Sequence, residues 1–321
     1  MRKIVLILLA AMLTLSMCAH AEEGIVIGIS MPSMQSSFFE GELYMAEETA
    51  KAAGVSYISV VADGDTAKQK TQIEDLISKG VDAVVCVPND TEAIVSSIAD
   101  CVAAGIPFIA MGRMPADMKD VALAITCDNF ACAEACALAM ADGAAEQGYE
   151  KVKVIELVGD LRDQNAVERT EGFKAAAAER GFEIVAEVAT EWDADKAFSR
   201  LTDTLQGIDD FNAIYVPSDF LLPTIMSCLQ TAGRWTALGE EGHVIICSID
   251  GDPLAMEFIT SGYVFMTANT DAFSFGRNAV AGAIEIAKGN FPAEVSQPVE
   301  VGDLRKASIE AAGDTIWGNV Y

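Results

Sequence analysis

Short apolar runs fit for buried strands alternate with stretches of helical length along almost the whole chain. Ile25–Ser30, Tyr57–Val61, Ala83–Val87 and Phe108–Met111 read as strands, and Phe38–Ala53, Lys68–Lys79 and Thr91–Ala104 between them read as helices. Gly54, Gly80 and Gly105 stand where these helices end, as a left-handed cap favours. Strands spaced by helices in this way predict right-handed βαβ units and a parallel sheet. The pattern then repeats. Val152–Leu157, Glu183–Val188, Ala213–Val216, Val244–Ile249 and Val264–Ala268 alternate with helices near Val167–Arg180, Asp195–Leu205, Leu222–Ala232 and Pro253–Ser261. A last helix, Ala272–Lys288, precedes the turn-rich "GNFPAEVSQPVEVGD". The reading is an α/β fold of two similar doubly wound parallel-sheet lobes. No long linker separates them, and short crossings suit a hinge.

The N-terminus has a different character. Arg2 and Lys3 precede an apolar run from Ile4 to about Met17, then Ala19-His20-Ala21. A basic start, a short apolar middle and an A-x-A site predict a secretory signal peptide over residues 1–21. The run is shorter than the roughly 20 residues a spanning helix needs. A rival reading takes Leu15-Ser16-Met17-Cys18 as a lipid-attachment site, although Met17 is bulky where such sites want a small residue. The chain is thus expected to be exported, and either free or held through Cys18.

Charge excludes some partners. The formal net charge is −27, and loss of Arg2 and Lys3 makes it −29. Such a surface repels phosphate backbones and anionic headgroups, so nucleic acid is not an expected partner. Seven cysteines remain after export: Cys86, Cys101, Cys127, Cys132, Cys136, Cys228 and Cys247. Most sit in apolar patterns, where Cys acts as a small hydrophobe, and buried free thiols are expected. Cys132 and Cys136 lie four apart, the spacing of one helix face, but no further ligands stand at zinc-like spacing. Asp63-Gly64-Asp65 opens like a calcium loop, yet Ala67 falls where an oxygen ligand is needed. No cofactor is predicted.

In open parallel sheets, ligands bind beyond the carboxyl ends of the strands. The tips there are "SMPSMQSSFF", "VPNDTE", "MGRMPAD", "TCDN", "VGDLRDQNAVER", "TEWD", "VPSD", "SIDGDP" and "TANTDA". They bring together aromatic faces (Phe38, Phe39, Trp192) and multidentate polar groups (Arg113, Asp250, Asn269). Adjacent residues of a helix do not share a face, so one core does not easily bury both Phe38 and Phe39. A sugar, with apolar ring faces edged by hydroxyls, fits between such plates.

The ordered series "SSFFEG", "ISKGVDAVVCVPND", "AAGIPFIAMGR", "CDN", "VIELVGD", "NAVERTEGFKAA", "LQTAGR", "SIDGDPLA" and "ANTDAFSFG" is similar to periplasmic sugar-binding proteins of the ribose-binding type, the receptors of ABC importers. The likeness spans nearly the whole exported chain. It implies a type I periplasmic-binding-protein fold, with lobes at 24–127 plus 270–298 and at 128–269 plus 299–321. It also implies a monomer that binds a sugar or polyol and presents it to a membrane permease. Residue by residue, it makes Phe38 and Phe39 the paired aromatics, one of them stacked on the sugar, with Ser36 before them. Arg113 and Arg169 become the arginines that grip oxygens, Trp192 a second plate, and Asp250 the carboxylate that accepts from two hydroxyls. Ser218 and Asn269 take positions usually held by Asn and Gln. Two departures put ribose itself in doubt. Val87 replaces an asparagine, for which Asn89 is a substitute. Gly112 replaces the aspartate that often precedes the arginine. The Gly112 change predicts a roomier, less polar pocket beside Arg113, in which Gly112→Asp would favour ribose-like sugars.

Each of these residues has a plainer reading. Phe38, Phe39 and Trp192 also suit a core, Arg169 a surface pair with Glu168 or Glu171, and Asp250-Gly251 a turn. Of the three tryptophans, Trp192 is expected to report ligand, while Trp235 and Trp317 stay silent. An enzyme is the rival class. No G-x-G-x-x-G follows the first strand, there is no P-loop or nucleophile elbow, and His243 is the one histidine after residue 21. A sensor docking on a chemoreceptor or histidine kinase would use the same binding chemistry.

Overall fold

The computed structural model describes residues 24–321, so the proposed signal peptide and Cys18 lie outside the described residues. The first half forms β1 (Val26–Met31), α1 (Ser37–Ala53), β2 (Ser56–Val61), α2 (Thr66–Ser78), β3 (Ala83–Cys86), α3 (Ile94–Ala103), β4 (Phe108–Met111) and β5 (Val121–Thr126). The second half continues with α4 (Asn129–Gln147), β6 (Lys153–Val158), α5 (Gln164–Glu179), β7 (Glu183–Ala189), α6 (Ala194–Gly207), β8 (Ala213–Tyr215), α7 (Leu222–Thr231), β9 (Ile245–Asp250), α8 (Pro253–Thr260) and β10 (Met266–Thr270). It closes with α9 (Ala272–Ala287), β11 (Ser296–Pro298), β12 (Val301–Leu304), α10 (Lys306–Ala312) and α11 (Trp317–Val320).

These elements make two six-stranded sheets of like order, β11-β5-β4-β3-β1-β2 and β12-β10-β9-β8-β6-β7. All pairings are parallel except β12 with β10. Each sheet is covered on both faces, which explains why its strands read as continuous apolar runs. Ile27, Ile29, Val85 and Ile109 pack under α1 and α9, while Val84, Cys86 and Phe108 meet Ile73, Leu76 and Ile98 of α2 and α3. In the second sheet, Val154, Tyr215 and Cys247 face α4 and α5, and Ile155, Leu157 and Ile246 face α6 to α8.

The chain crosses between the sheets at 127–128, at 271 and at 299–300. Helix α1 lies very close to α9. A Cβ on Gly276 would stand 2.1 Å from the Glu42 carbonyl oxygen. Side-chain carboxylates cap several of the helices that begin at the strand ends. Asp65, Asp163, Asp193, Asp252 and Asp271 each accept from a backbone N–H in the first turn. Part of the acidic composition is thus capping chemistry, and Asp65 caps α2. All seven described cysteines are free thiols. Among the described residues, no helix is long and apolar enough to cross a membrane.

Candidate functional site

The carboxyl edges of the two sheets face each other across a cavity of about 180 Å³. That is room for on the order of a dozen water-sized groups, the scale of one monosaccharide. Nine of the ten residues expected from sequence line it: Ser36, Phe38, Phe39, Asn89, Arg113, Arg169, Trp192, Ser218 and Asp250. Asn269 does not. It pairs in register with Asp250 on β10, and its amide oxygen points at the Gly251 backbone.

On the first lobe, Phe38 and Phe39 open α1. The Ser36 hydroxyl caps that helix by accepting from Phe38 N at 3.2 Å. Phe38 is held edge-to-face by Phe275 at 5.7 Å and by Trp317 at 5.9 Å. Phe39 lies 6.5 Å away at 69°, with the Arg113 guanidinium 5.4 Å from its centroid. One ring is therefore anchored in an aromatic cluster while the other backs an arginine in the cleft. Asn89 reaches the cavity, but both hydrogens of its amide are spent on Gly64 O and Thr66 Oγ1. Val87 is wholly buried in the core of the first sheet.

On the second lobe, Arg169 is 7% exposed although it lies on a helix. Its Nε donates to Asn129 Oδ1 at 2.9 Å, its Nη1 donates to Pro217 O at 2.7 Å, and it lies 3.5 Å from Asp250 Oδ1. Asp250 also accepts from the Ser218 hydroxyl and from Asp219 N. Burial pushes the Asp250 carboxyl up to about 6, against the pull of Arg169 and Ser218. Burial opposes the charge on Arg169, but Asp250 together with Cys127, Cys132 and Tyr215 outweighs it and holds the guanidinium protonated.

Backbone strain is concentrated here. Four described non-glycine residues have positive φ, and three of them, Glu191, Trp192 and Asp250, line the cavity. Such conformations persist where the surroundings over-determine them, often at binding sites. The Trp192 indole lies over Gly159, where a Cβ would come within 2.3 Å of the ring, and its Nε1 donates to Asp163 Oδ2 at 3.0 Å.

Sequence reasoning missed four residues that complete the site. Asp163, itself buried, pairs with Arg113 Nε at 2.8 Å, so the two lobes meet through an ion pair. Asn165 reaches across to Gly112 O at 2.9 Å. Asp219 accepts from the N–H groups of Gly251 and Asp252 and from the Thr267 hydroxyl, which fixes the turn that carries Asp250. The fourth is Glu42, which is fully buried and lines the cavity. Its signal was its spacing, four residues after Phe38 on the same helix face. Glu42 also corrects the expectation of a roomy, apolar edge at Gly112. A Cβ there would stand 2.7 Å from Glu42 Oε1, so a carboxyl from α1 already fills that space.

Trp317 needs a second correction. It is 2% exposed, packs on Phe38 and donates from Nε1 to Asp250 O at 3.2 Å, so it touches both lobes behind two cavity-lining residues. Trp235 instead stacks on Tyr263 at 4.8 Å in the second lobe. Ligand-induced fluorescence changes are therefore expected from Trp192 and Trp317 together. Trp192→Phe should reduce the signal without abolishing it, and Trp192→Phe/Trp317→Phe should remove it. A full signal in the double variant would contradict this placement.

A sequence profile described as a periplasmic binding protein domain matches residues 27–291. The ribose import binding protein of Bacillus subtilis is 26% identical over 263 residues, 82% of each chain. A putative rhizopine-binding protein of Rhizobium meliloti is 28% identical, over 90% of this chain and 92% of its own. Among solved structures, an ABC transporter solute binding protein from Mycobacterium smegmatis with bound glycerol superposes with a TM-score of 0.82 at 28% identity. That match covers 90% of this chain and 96% of the other.

Proposed function

The chain belongs to the periplasmic binding protein domain family, and from that premise we propose that it captures one monosaccharide or small polyol between its lobes and delivers it to the permease of an ABC importer. The observation that carries this is the convergence of Phe39, Trp192, Arg113, Arg169 and Asp250 on one cavity of monosaccharide scale. The relatives named above are binding proteins, and one is named for ribose import. Aromatic faces cover the apolar faces of a ring, and the arginines and Asp250 take its hydroxyls. Micromolar affinity requires about 8 kcal/mol in all. Charge-assisted hydrogen bonds of about 1.5–3 kcal/mol each, with stacking, reach that sum.

The three crossings at 127–128, 271 and 299–300 serve as the hinge between the two lobes. Arg113–Asp163 and Asn165–Gly112 then act as contacts of the closed form, so a ligand that bridges the lobes shifts the balance toward closure. The permease reads that closure. Export follows from the same reading.

Calorimetric titration with D-ribose, D-arabinose, D-allose, myo-inositol, D-apiose and glycerol tests the reading. At least one is expected to bind with 1:1 stoichiometry and a Kd of about 10 μM or tighter. Absence of heat and of any thermal shift across a full monosaccharide and polyol panel would overturn it.

A further inference from the structure

We propose that Glu42 is a specificity-determining residue of this cleft, a buried acid supplied by α1 that hydrogen-bonds a ligand hydroxyl beside Arg113. The proposal rests on the sugar or polyol reading above and adds a residue and a chemistry to it.

Three observations carry it. Glu42 has no exposed surface, and both of its carboxyl oxygens lack a hydrogen-bond partner among the described residues. Buried polar groups in native proteins are otherwise paired, so an orphan of this kind calls for a partner from outside the chain. The side chain also lines the cavity. Finally, its Oε1 lies 2.7 Å from where a Gly112 Cβ would stand. The missing side chain at 112 and the extra carboxyl at 42 therefore occupy one space.

The chemistry of the acid follows from its neighbours. Arg113, Asp250 and Cys127 are the charged or titratable groups that act on Glu42. Burial raises its carboxyl well above the usual carboxylate range, Arg113 opposes that, and Asp250 adds to it. Arg113 is already engaged by Asp163, and Arg169 lies against Asp250. The charged pairs of the cleft are thus matched, and Glu42 is left over as a neutral acid. A neutral carboxyl both donates and accepts, which suits a hydroxyl group. It does not suit an ammonium, which requires the ionised form.

The test uses the full exported chain and the panel sugar that binds wild type most tightly. Glu42→Leu removes the polar group at similar volume, and Glu42→Gln keeps one donor and one acceptor. Glu42→Leu is expected to bind about 30-fold more weakly, while its ligand-free melting temperature is unchanged or higher, because a buried unpartnered acid costs stability. Glu42→Gln should stay within about threefold of wild type, since its amide replaces the neutral carboxyl. A merely structural Glu42 would instead lower the melting temperature in both variants. Undiminished affinity in Glu42→Leu overturns the proposal alone. D-glucosamine binding wild type more tightly than D-glucose, with that preference lost in Glu42→Gln, also overturns it by making Glu42 a cation site. Absence of binding by wild type overturns the functional reading, and this proposal with it.

Discussion

Arg169→Ala is expected to cost more than about 100-fold in ligand affinity and about 3–5 kcal/mol in stability. The second figure follows from breaking a buried ion pair by removing one partner. Arg169 connects three groups at once: Asn129 of α4, the Pro217 carbonyl after β8 and the Asp250 carboxyl at the end of β9. Without it, the Asn129 and Pro217 oxygens lose charge-assisted donors. Asp250 loses its counter-ion in a site where burial already holds it up to about 6. In the variant it rises further, so the charged form that accepts from two ligand hydroxyls is disfavoured. Arg169→Lys separates the two losses. It restores the charge but not the fork of donors, so stability should recover more than affinity. Asp250→Ala should weaken binding by about 2 kcal/mol or more. Urea unfolding and calorimetry check these values. Wild-type affinity in both Arg169 variants would return the residue to a structural role.

Gly112→Asp is expected to weaken binding of every sugar by about 2–4 kcal/mol, with a melting temperature several degrees lower. The sequence alone suggested the opposite, a gain for ribose-like ligands. Three costs decide the sign. Gly112 has φ +69°, a region that costs most L residues about 1–2 kcal/mol, although Asp tolerates it better than most. The new Cβ would lie 2.7 Å from Glu42 Oε1, and overpacking of this kind costs about 1–3 kcal/mol. The added carboxyl would also be buried beside Glu42 with Arg113 already paired to Asp163. Gly112→Asp/Glu42→Ser removes the overlap and should recover much of the loss. Tighter ribose binding in the single variant, with an unchanged melting temperature, would show that the space beside Arg113 is open after all.

The architecture was legible because both sheets are covered on both faces. Their strands therefore appear as unbroken apolar runs, and the helices between them end at glycines. Helix α4 was not legible. Cys132, Ala133, Cys136, Ala137, Ala139, Met140, Gly143 and Ala144 are all buried, and a helix built of small residues shows no clear apolar stripe. Strands β11 and β12 were missed because three or four residues, one of them Pro298, carry no periodicity. In the site, the strand-end rule found residues that follow strands directly, such as Arg113 and Asp250. It missed Glu42, which lies a turn inside α1, and it did not single out Asp163 within the tip that contains it, because Asp163's partner, Arg113, is distant in sequence. Asn269 failed for a local reason. Alternate residues of a strand point to opposite faces, and Thr270, not Asn269, lines the cavity.

A crystal structure of the protein with its tightest-binding panel sugar tests the central claim most directly. The account predicts one sugar in the cleft, with ring faces against Phe39 and Trp192 and hydroxyls within hydrogen-bond distance of Arg113, Arg169 and Asp250. A sugar bound elsewhere, or bound in the cleft without contact to Arg169 and Asp250, would contradict it.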